Sequence, residues 1–243
     1  MLGLPEQITV CLFDLDGVLT DTASVHEAAW KQTFDEFLRQ RDGDGFAPFT
    51  SHDYDAYVDG KPRPDGVRDF LKSRGIQLDE GSPDDPPSKK TVNGVGNRKN
   101  ELLLHKIHDD GVRVYEGSRR YLQAAKAQGL RRFVVSSSAN TAEVLEVTGL
   151  APLIEGRVDG NTVRDEHLKG KPAPDSFLAG ARLAGADPAQ AVVFEDAIAG
   201  VQAGQAGGFG YVVGVNRLDD AHGDQLRENG ASVVVKDLSE LIS

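Results

Sequence analysis

The sequence predicts an α/β fold, a parallel β-sheet covered by helices on both faces, with a small all-α domain inserted after the first strand. Three observations predict it. Ile8-Thr9-Val10-Cys11-Leu12-Phe13 is a short, β-branched apolar run that ends in acidic residues and Gly17, the pattern of a strand buried on both faces. From Val114 onward, apolar β-branched runs alternate with amphipathic helical stretches, as parallel strands joined by helical crossovers do. Between these two regions, residues 20–112 show helical periods and breaker-rich loops without a strand-like run. The expected division is a core of residues 1–19 and 113–243 and a helical insert of residues 20–112.

A first helix is expected from Ser24 to Arg39, where Val25, Ala28, Ala29, Phe37 and Leu38 recur at helical spacing and Ser24 stands as its cap. Gln40 to Pro64 is rich in Asp, Gly and Pro and reads as loop with a helical turn near Tyr54 to Val58. Pro64 opens a helix whose apolar face is Val67, Phe70 and Leu71, and Gly75 stops it. Gly81-Ser82-Pro83-Asp84-Asp85-Pro86-Pro87 is surface loop. Asn97 to Asp109, with Leu103, Leu104 and Ile107 on one face, is a helix ending at Gly111. In the alternating half, helices are expected at Ser118 to Gln128, from Asn140, near Pro174 to Ala184, and up to Ala206. Strands are expected at Phe133-Val134-Val135, Val192-Val193-Phe194, Tyr211 to Val215 and Ser232 to Val235. The helical insert is placed to act as a lid over the carboxyl ends of the strands, where open α/β sheets bind ligands.

Composition narrows the function. Of 243 residues, 39% are apolar, enough for a packed interior. Acidic residues outnumber basic ones 38 to 27, a balance that repels nucleic acid and anionic membrane and obliges an anionic substrate to find a dedicated basic pocket. No run approaches the ~20 apolar residues of a membrane span, and Met1 to Gln7 has no basic segment followed by a long apolar one. A cytoplasmic monomer with a small-molecule substrate is expected. Cys11, the single cysteine, lies in an apolar run and forms no intrachain disulfide, so it reads as a small buried hydrophobe.

The chemistry is concentrated where strands end. In Asp14-Leu15-Asp16-Gly17-Val18-Leu19-Thr20-Asp21, two carboxylates two residues apart leave an extended chain on the same side. One can attack phosphorus while the other protonates the leaving oxygen, and a magnesium ion on oxygen ligands would screen their repulsion. Three further strand ends supply the rest. Ser136, with its neighbouring amides, is placed to hold phosphoryl oxygens. Lys171, in Gly170-Lys171-Pro172, offsets anionic charge. Glu195 and Asp196 offer more carboxylates to the metal.

Together these residues resemble the haloacid dehalogenase superfamily: DxDGxLxD at Asp14 to Asp21, a hydroxyl at Ser136, a Lys-Pro at Lys171 and an acidic pair at Glu195-Asp196, in the family's order. The resemblance implies a three-layer Rossmann-like core with the small helical cap of subclass I. Asp16 stands where the superfamily's ion-pumping ATPases carry Thr, which argues against an ATPase. Within the superfamily the likeness is closest to the mutases that interconvert beta-glucose 1-phosphate and glucose 6-phosphate. It extends through Thr20-Asp21-Thr22-Ala23, His26, Trp30, Gly60-Lys61-Pro62-Arg63, Arg98-Lys99-Asn100, Ser136, Ser138 and Asn140.

The resemblance implies that Asp14 is phosphorylated, that Asp16 is the general acid and base, and that Ser136, Ser138, Asn140 and Lys171 hold the reacting phosphate. It also implies a magnesium ion bound by Asp14, Glu195, Asp196 and the Asp16 backbone carbonyl. His26, Gly60, Arg63 and Lys99 would bind substrate from the cap, with Arg63 gripping the non-reacting phosphate bidentately. Trp30 is expected in the cap core. Ala139 and Asp59 stand where this likeness leads to lysines, and Lys61 is a candidate replacement for one of them. Two other readings remain open: a sugar-phosphate phosphatase, in which water attacks phospho-Asp14, and a non-catalytic ligand-binding protein that keeps the fold.

Overall fold

A computed structural model describes residues 2–242. In chain order the elements are β1 (Val10–Phe13), α1 (Ala23–Asp42), α2 (Ser51–Tyr57), α3 (Arg63–Ser73), α4 (Val92–Asp110), α5 (Glu116–Ala127), β2 (Arg131–Val135) and α6 (Thr141–Val147). They continue with β3 (Gly156–Val158), α7 (Gly160–Asp165), α8 (Asp175–Ala184), β4 (Ala191–Glu195), α9 (Ile198–Ala206), β5 (Tyr211–Val215), α10 (Asp220–Glu228) and β6 (Val233–Val235). The chain divides into two compact units, Met1–Thr22 with Val112–Ser243, and Ala23–Gly111.

The first unit is built on one parallel sheet of order β3-β2-β1-β4-β5-β6. The apolar run of β1 puts it at the centre, with Val10 opposite Arg131 and Ala191, and Phe13 opposite Val134 and Phe194. Side chains alternate between faces along each strand. Val10, Leu12, Phe133, Val135, Val193 and Val212 join a cluster with Phe177 of α8, Val201 of α9 and Leu226 of α10. On the opposite face Phe13 stacks on Phe194 at 4.4 Å between centroids, and Tyr121 of α5 meets both rings edge-on. Helices therefore cover both sides, giving the three-layer α/β arrangement. Each buried ring withdraws roughly 150–250 Å² from water, several kcal/mol at about 25 cal/mol per Å². Cys11 is fully buried among these residues, and burial pushes its thiol up to about 12, with Arg132 opposing.

The second unit is all helical. Its interior is aromatic: Phe34 lies 5.0 Å from Trp30, 5.2 Å from Phe49 and 4.2 Å from Phe70 between ring centroids. Trp30 is thus a core residue of this unit. Among the described residues no helix is long and apolar enough to cross a membrane.

Several element boundaries differ from expectation. Ser24 lies inside α1 and does not cap it. The segment Gln40 to Pro64 holds a full helix, α2, closed by a capping box in which Thr50 and Asp53 bond each other's backbone amides. Asp at the third position, in place of the usual Glu or Gln, concealed that signal. α4 begins at Val92, capped by Thr91, well before Asn97; Gly94 and Gly96 in its first turns weaken the helical pattern there. Strand β3 and helices α7 and α10 were not anticipated. β3 is a three-residue edge strand with an exposed Arg157, and α7 and α10 bury only Val163 and Gly223 with Leu226 respectively, so none shows an apolar period.

Candidate active site

All strands of the sheet run in parallel, so their carboxyl ends share one edge, and the functional side chains follow from it. Asp14 succeeds β1, Ser136 succeeds β2, Glu195 closes β4 and Asp196 follows. Lys171 comes from the loop before α8, through a cis peptide to Pro172. Its ammonium lies 2.5 Å from Asp14 Oδ1 and 2.5 Å from Glu195 Oε1, and it also donates to the Val135 carbonyl at 3.3 Å. Asp14, Lys171 and Glu195 are all buried.

Burial pushes the Asp14 carboxyl well above the usual carboxylate range; Lys171 opposes this, while Glu195 and Asp16 add to it. For Lys171, burial alone would lower the ammonium, but Asp14 and Glu195 outweigh burial and hold it above its ordinary value. Lys171 therefore stays charged.

Carboxylate oxygens of Asp14, Glu195 and Asp196 lie within 4.8 Å of one another. Asp14 and Glu195 share the one ammonium of Lys171, and Asp196, only partly buried, adds a third carboxylate beside them, so acidic groups are in excess here. A donor set made wholly of oxygen with that excess suits a hard divalent cation, so the residues fit a metal ion. Glu195 is also committed elsewhere: Oε1 takes Lys171 and Oε2 accepts the Ala197 amide at 3.1 Å. A Cβ at Gly200 would fall on its carboxylate, so the glycine makes room for this arrangement.

Asp16 reaches the site by another route than expected. The strand ends at Phe13, and Asp16 forms an isolated bridge with Thr20 across the turn of residues 17–19, so alternation along β1 does not set its direction. The turn brings it close enough to act electrostatically on Asp14, and the Thr22 hydroxyl donates to Asp16 Oδ1. Gly17 adopts φ +81, and a side chain there would fall on the Asp196 carboxylate. Thr22 and Gly17 are supports that the sequence motif contained without revealing what they touch.

Ser136 is buried, and its Oγ accepts the Ser138 amide at 3.1 Å, while Ser138 Oγ accepts the Asn140 amide at 3.2 Å. These bonds wind the loop after β2 into a compact turn. Asn140 stands at the start of α6 without capping it through its side chain.

In the helical unit, Lys99 Nζ lies 3.1 Å from His26 Nδ1 and 5.1 Å from the centroid of the Trp30 ring. An ammonium can only donate, so in this contact Lys99 donates and His26 Nδ1 accepts. Arg63 is the first residue of α3, and its stem runs along Gly96, where a Cβ would come within 3.2 Å of Arg63 Cγ. Gly96 and Lys99 are three residues apart on α4 and share a face, so Arg63 and the His26–Lys99 pair gather on one side of that helix. Gly60 takes φ +69 in the turn before α3. Lys61 pairs with Asp69 at 2.7 Å.

Comparison with known proteins finds relatives that span all or nearly all of the chain. The chain is 58% identical over 247 residues to a beta-phosphoglucomutase of Mycobacterium bovis, spanning 100% of this chain and 94% of that protein. It is 28% identical to hexitol phosphatase A of Escherichia coli, over 95% of this chain and 91% of the other. The crystal structure of a beta-phosphoglucomutase from Clostridium difficile superposes with a TM-score of 0.78 at 22% identity, covering 96% of this chain and 93% of that one, and shows the same fold. Residues 8–208 match a single family model. With that match across most of its length and a relative 58% identical over the whole of it, the chain belongs to the haloacid dehalogenase-like hydrolase family and is an enzyme of phosphoryl transfer or phosphate hydrolysis.

Proposed function

We propose that the protein is a magnesium-dependent phosphosugar mutase that interconverts beta-glucose 1-phosphate and glucose 6-phosphate through a phospho-aspartate on Asp14 and a sugar bisphosphate. The observation that carries the reading is the buried Asp14–Lys171–Glu195 cluster, in a chain alike over its whole length to a beta-phosphoglucomutase. Magnesium would be held by Asp14, Asp196 and the Asp16 carbonyl, with Glu195 close by, and would neutralise charge on the transferring phosphoryl group.

In this reading Asp14 Oδ attacks phosphorus, and the bond to the sugar oxygen breaks as Asp16 delivers its proton there. Asp16 later removes the proton from the sugar hydroxyl that takes the phosphoryl group back from Asp14. Thr22 orients the Asp16 carboxyl for both transfers. Lys171 stabilises the anionic phosphoryl oxygens and is itself held by Glu195, and Ser136, Ser138 and Asn140 complete the phosphate loop. The helical unit is proposed as a cap whose Arg63, Gly60, His26 and Lys99 bind the substrate's other end. A mutase needs that second anion site because its bisphosphate must turn round.

The test is incubation of the purified protein with magnesium, beta-glucose 1-phosphate and a trace of glucose 1,6-bisphosphate, following glucose 6-phosphate and free phosphate together. Isomer formation with little phosphate released, lost in Arg63→Ala, is the expected result. Phosphate release without isomer would select the second reading, a sugar-phosphate phosphatase. That reading is favoured by the likeness to a hexitol phosphatase and by Ala139 and Asp59 at positions where the mutase likeness calls for lysines.

A further inference from the structure

The loop that carries Asp16 is held from the far end of the sequence. Arg217, just after β5, donates from Nε to the Gly17 carbonyl at 2.8 Å, from Nη2 to the Val18 carbonyl at 3.3 Å and from Nη1 to the Lys236 carbonyl at 2.8 Å. Its guanidinium carbon lies 3.6 Å from the centroid of the Tyr115 ring. Tyr115 in turn donates its amide to the Leu19 carbonyl at 3.0 Å and its hydroxyl to Asp21 Oδ1 at 3.2 Å. A few residues on, His222 Nε2 lies 2.8 Å from the Asp196 carbonyl oxygen, which can only accept, so that nitrogen carries the hydrogen.

The segment is itself anchored. Asn216 donates its amide to the Val235 carbonyl at 2.8 Å, and Asp219 caps α10 by accepting the His222 amide at 2.9 Å. One short stretch between β5 and α10 thus grips two separate pieces of the site: the Gly17–Val18 backbone through Arg217, and the Asp196 backbone through His222. Those two pieces touch each other, since Gly17 packs against the Asp196 carboxylate closely enough to exclude a Cβ.

We infer that Arg217 is a positioning residue of the active site, which fixes the Asp16–Gly17 turn against Asp196, with His222 holding the Asp196 side of the same junction. Arg217 touches neither the substrate nor the reacting atoms in this account. It acts by fixing where the Asp16 carbonyl and carboxyl and the Asp196 carboxylate stand relative to Asp14. The planar guanidinium is needed because three separate nitrogens reach three carbonyls while the plane that carries them stacks on Tyr115, and a single ammonium nitrogen has neither that spread nor a face to stack. The inference rests on the proposed role of Asp14, Asp16 and Asp196 in metal binding and phosphoryl transfer, but not on the identity of the sugar.

The test uses the full chain in three forms: unchanged, Arg217→Ala and Arg217→Lys. Mn²⁺ binding is measured by electron paramagnetic resonance without any sugar phosphate, and amide hydrogen exchange is followed over residues 15–21. Losing a supporting contact around a metal site typically weakens metal binding by about 10–100-fold. Arg217→Ala is expected to weaken Mn²⁺ binding at least about 10-fold and to speed exchange of the Gly17, Leu19 and Thr20 amides, with kcat falling more than KM changes. Arg217→Lys, which keeps the charge but loses the fork of nitrogens and the stacking plane, is expected to fall between the two and serves as the test if the alanine variant does not fold. Unchanged exchange overturns the inference, and so does faster exchange with unchanged Mn²⁺ affinity, because that would make Arg217 a purely structural strut. If the unchanged protein forms no glucose 6-phosphate while the Mn²⁺ and exchange results stand, the sugar assignment fails and the positioning role survives.

Discussion

The two units bury different things. At the carboxyl edge of the sheet, Asp14, Glu195 and Lys171 are withdrawn from solvent and neutralise one another only in part. The helical unit fills its interior with Trp30, Phe34, Phe49 and Phe70 and carries surface ion pairs such as Arg68 with Glu80, while its buried charged groups, Asp53, Asp85 and Lys99, are each partnered by neighbouring side chains. Ring packing is weakened by lost volume, whereas a buried charge cluster is weakened by a lost counter-charge. Chemistry that depends on exact charge placement is thus built where parallel strands fix it.

The contrast predicts a ranked series of effects. The single tryptophan, Trp30, lies in the helical unit, so its fluorescence reports that unit, while strand content followed by far-UV ellipticity reports the other. Phe34→Ala removes the ring at the centre of the aromatic cluster and is expected to destabilise by about 3–5 kcal/mol, read as a lower urea midpoint of Trp30 fluorescence. Lys171→Met leaves Asp14 and Glu195 buried without a counter-charge and is expected to cost a similar amount, about 3–5 kcal/mol, in the ellipticity transition. If both probes move together in both variants, the units unfold as one, and the contrast holds for their packing but not for their stability.

Asp53→Asn sharpens the comparison at moderate cost. Burial would raise the Asp53 carboxyl, but the Thr50 bonds and Arg74 outweigh burial and lower it. A carboxyl lowered by folding contributes stability that is present above its ordinary value of 3.8 and is lost as pH falls through the folded value. The protein should therefore exceed Asp53→Asn by about 1–2 kcal/mol at neutral pH, and the difference should shrink once pH drops below the ordinary aspartate range. A difference that persists undiminished in acid would show that the carboxylate charge is not what stabilises α2. Arg68→Ala, which removes an exposed pair with Glu80, is expected to change stability by less than about 1 kcal/mol. A loss approaching that of Phe34→Ala would mean that surface pairs matter to this unit as much as its aromatic core.

Much of this was legible in sequence because strand ends announce themselves. The apolar run before Asp14, the β-branched run before Ser136 and Val192-Val193-Phe194 before Glu195 each located a site residue, and parallel pairing then brought them together. The placement of Asp16 was not legible, because the chain leaves the strand at Phe13 and a turn with Gly17 at φ +81 decides where its carboxyl points. Arg217 was invisible for a different reason. Its partners are backbone carbonyls, two of them about two hundred residues away, and a carbonyl leaves no mark in the residue alphabet. Glu195 was legible as an acid, but its bond to Lys171 and the room that Gly200 leaves for it depend on tertiary packing.

The central claim, covalent phosphoryl transfer through Asp14, is tested most directly by acid-quenching the enzyme during turnover of beta-glucose 1-phosphate with magnesium and locating any protein-bound phosphate by peptide mass spectrometry. The account predicts acid-stable, hydroxylamine-sensitive phosphate on the peptide that contains Asp14, absent together with turnover in Asp14→Asn. Phosphate on a different residue, or turnover that persists in Asp14→Asn, would contradict it.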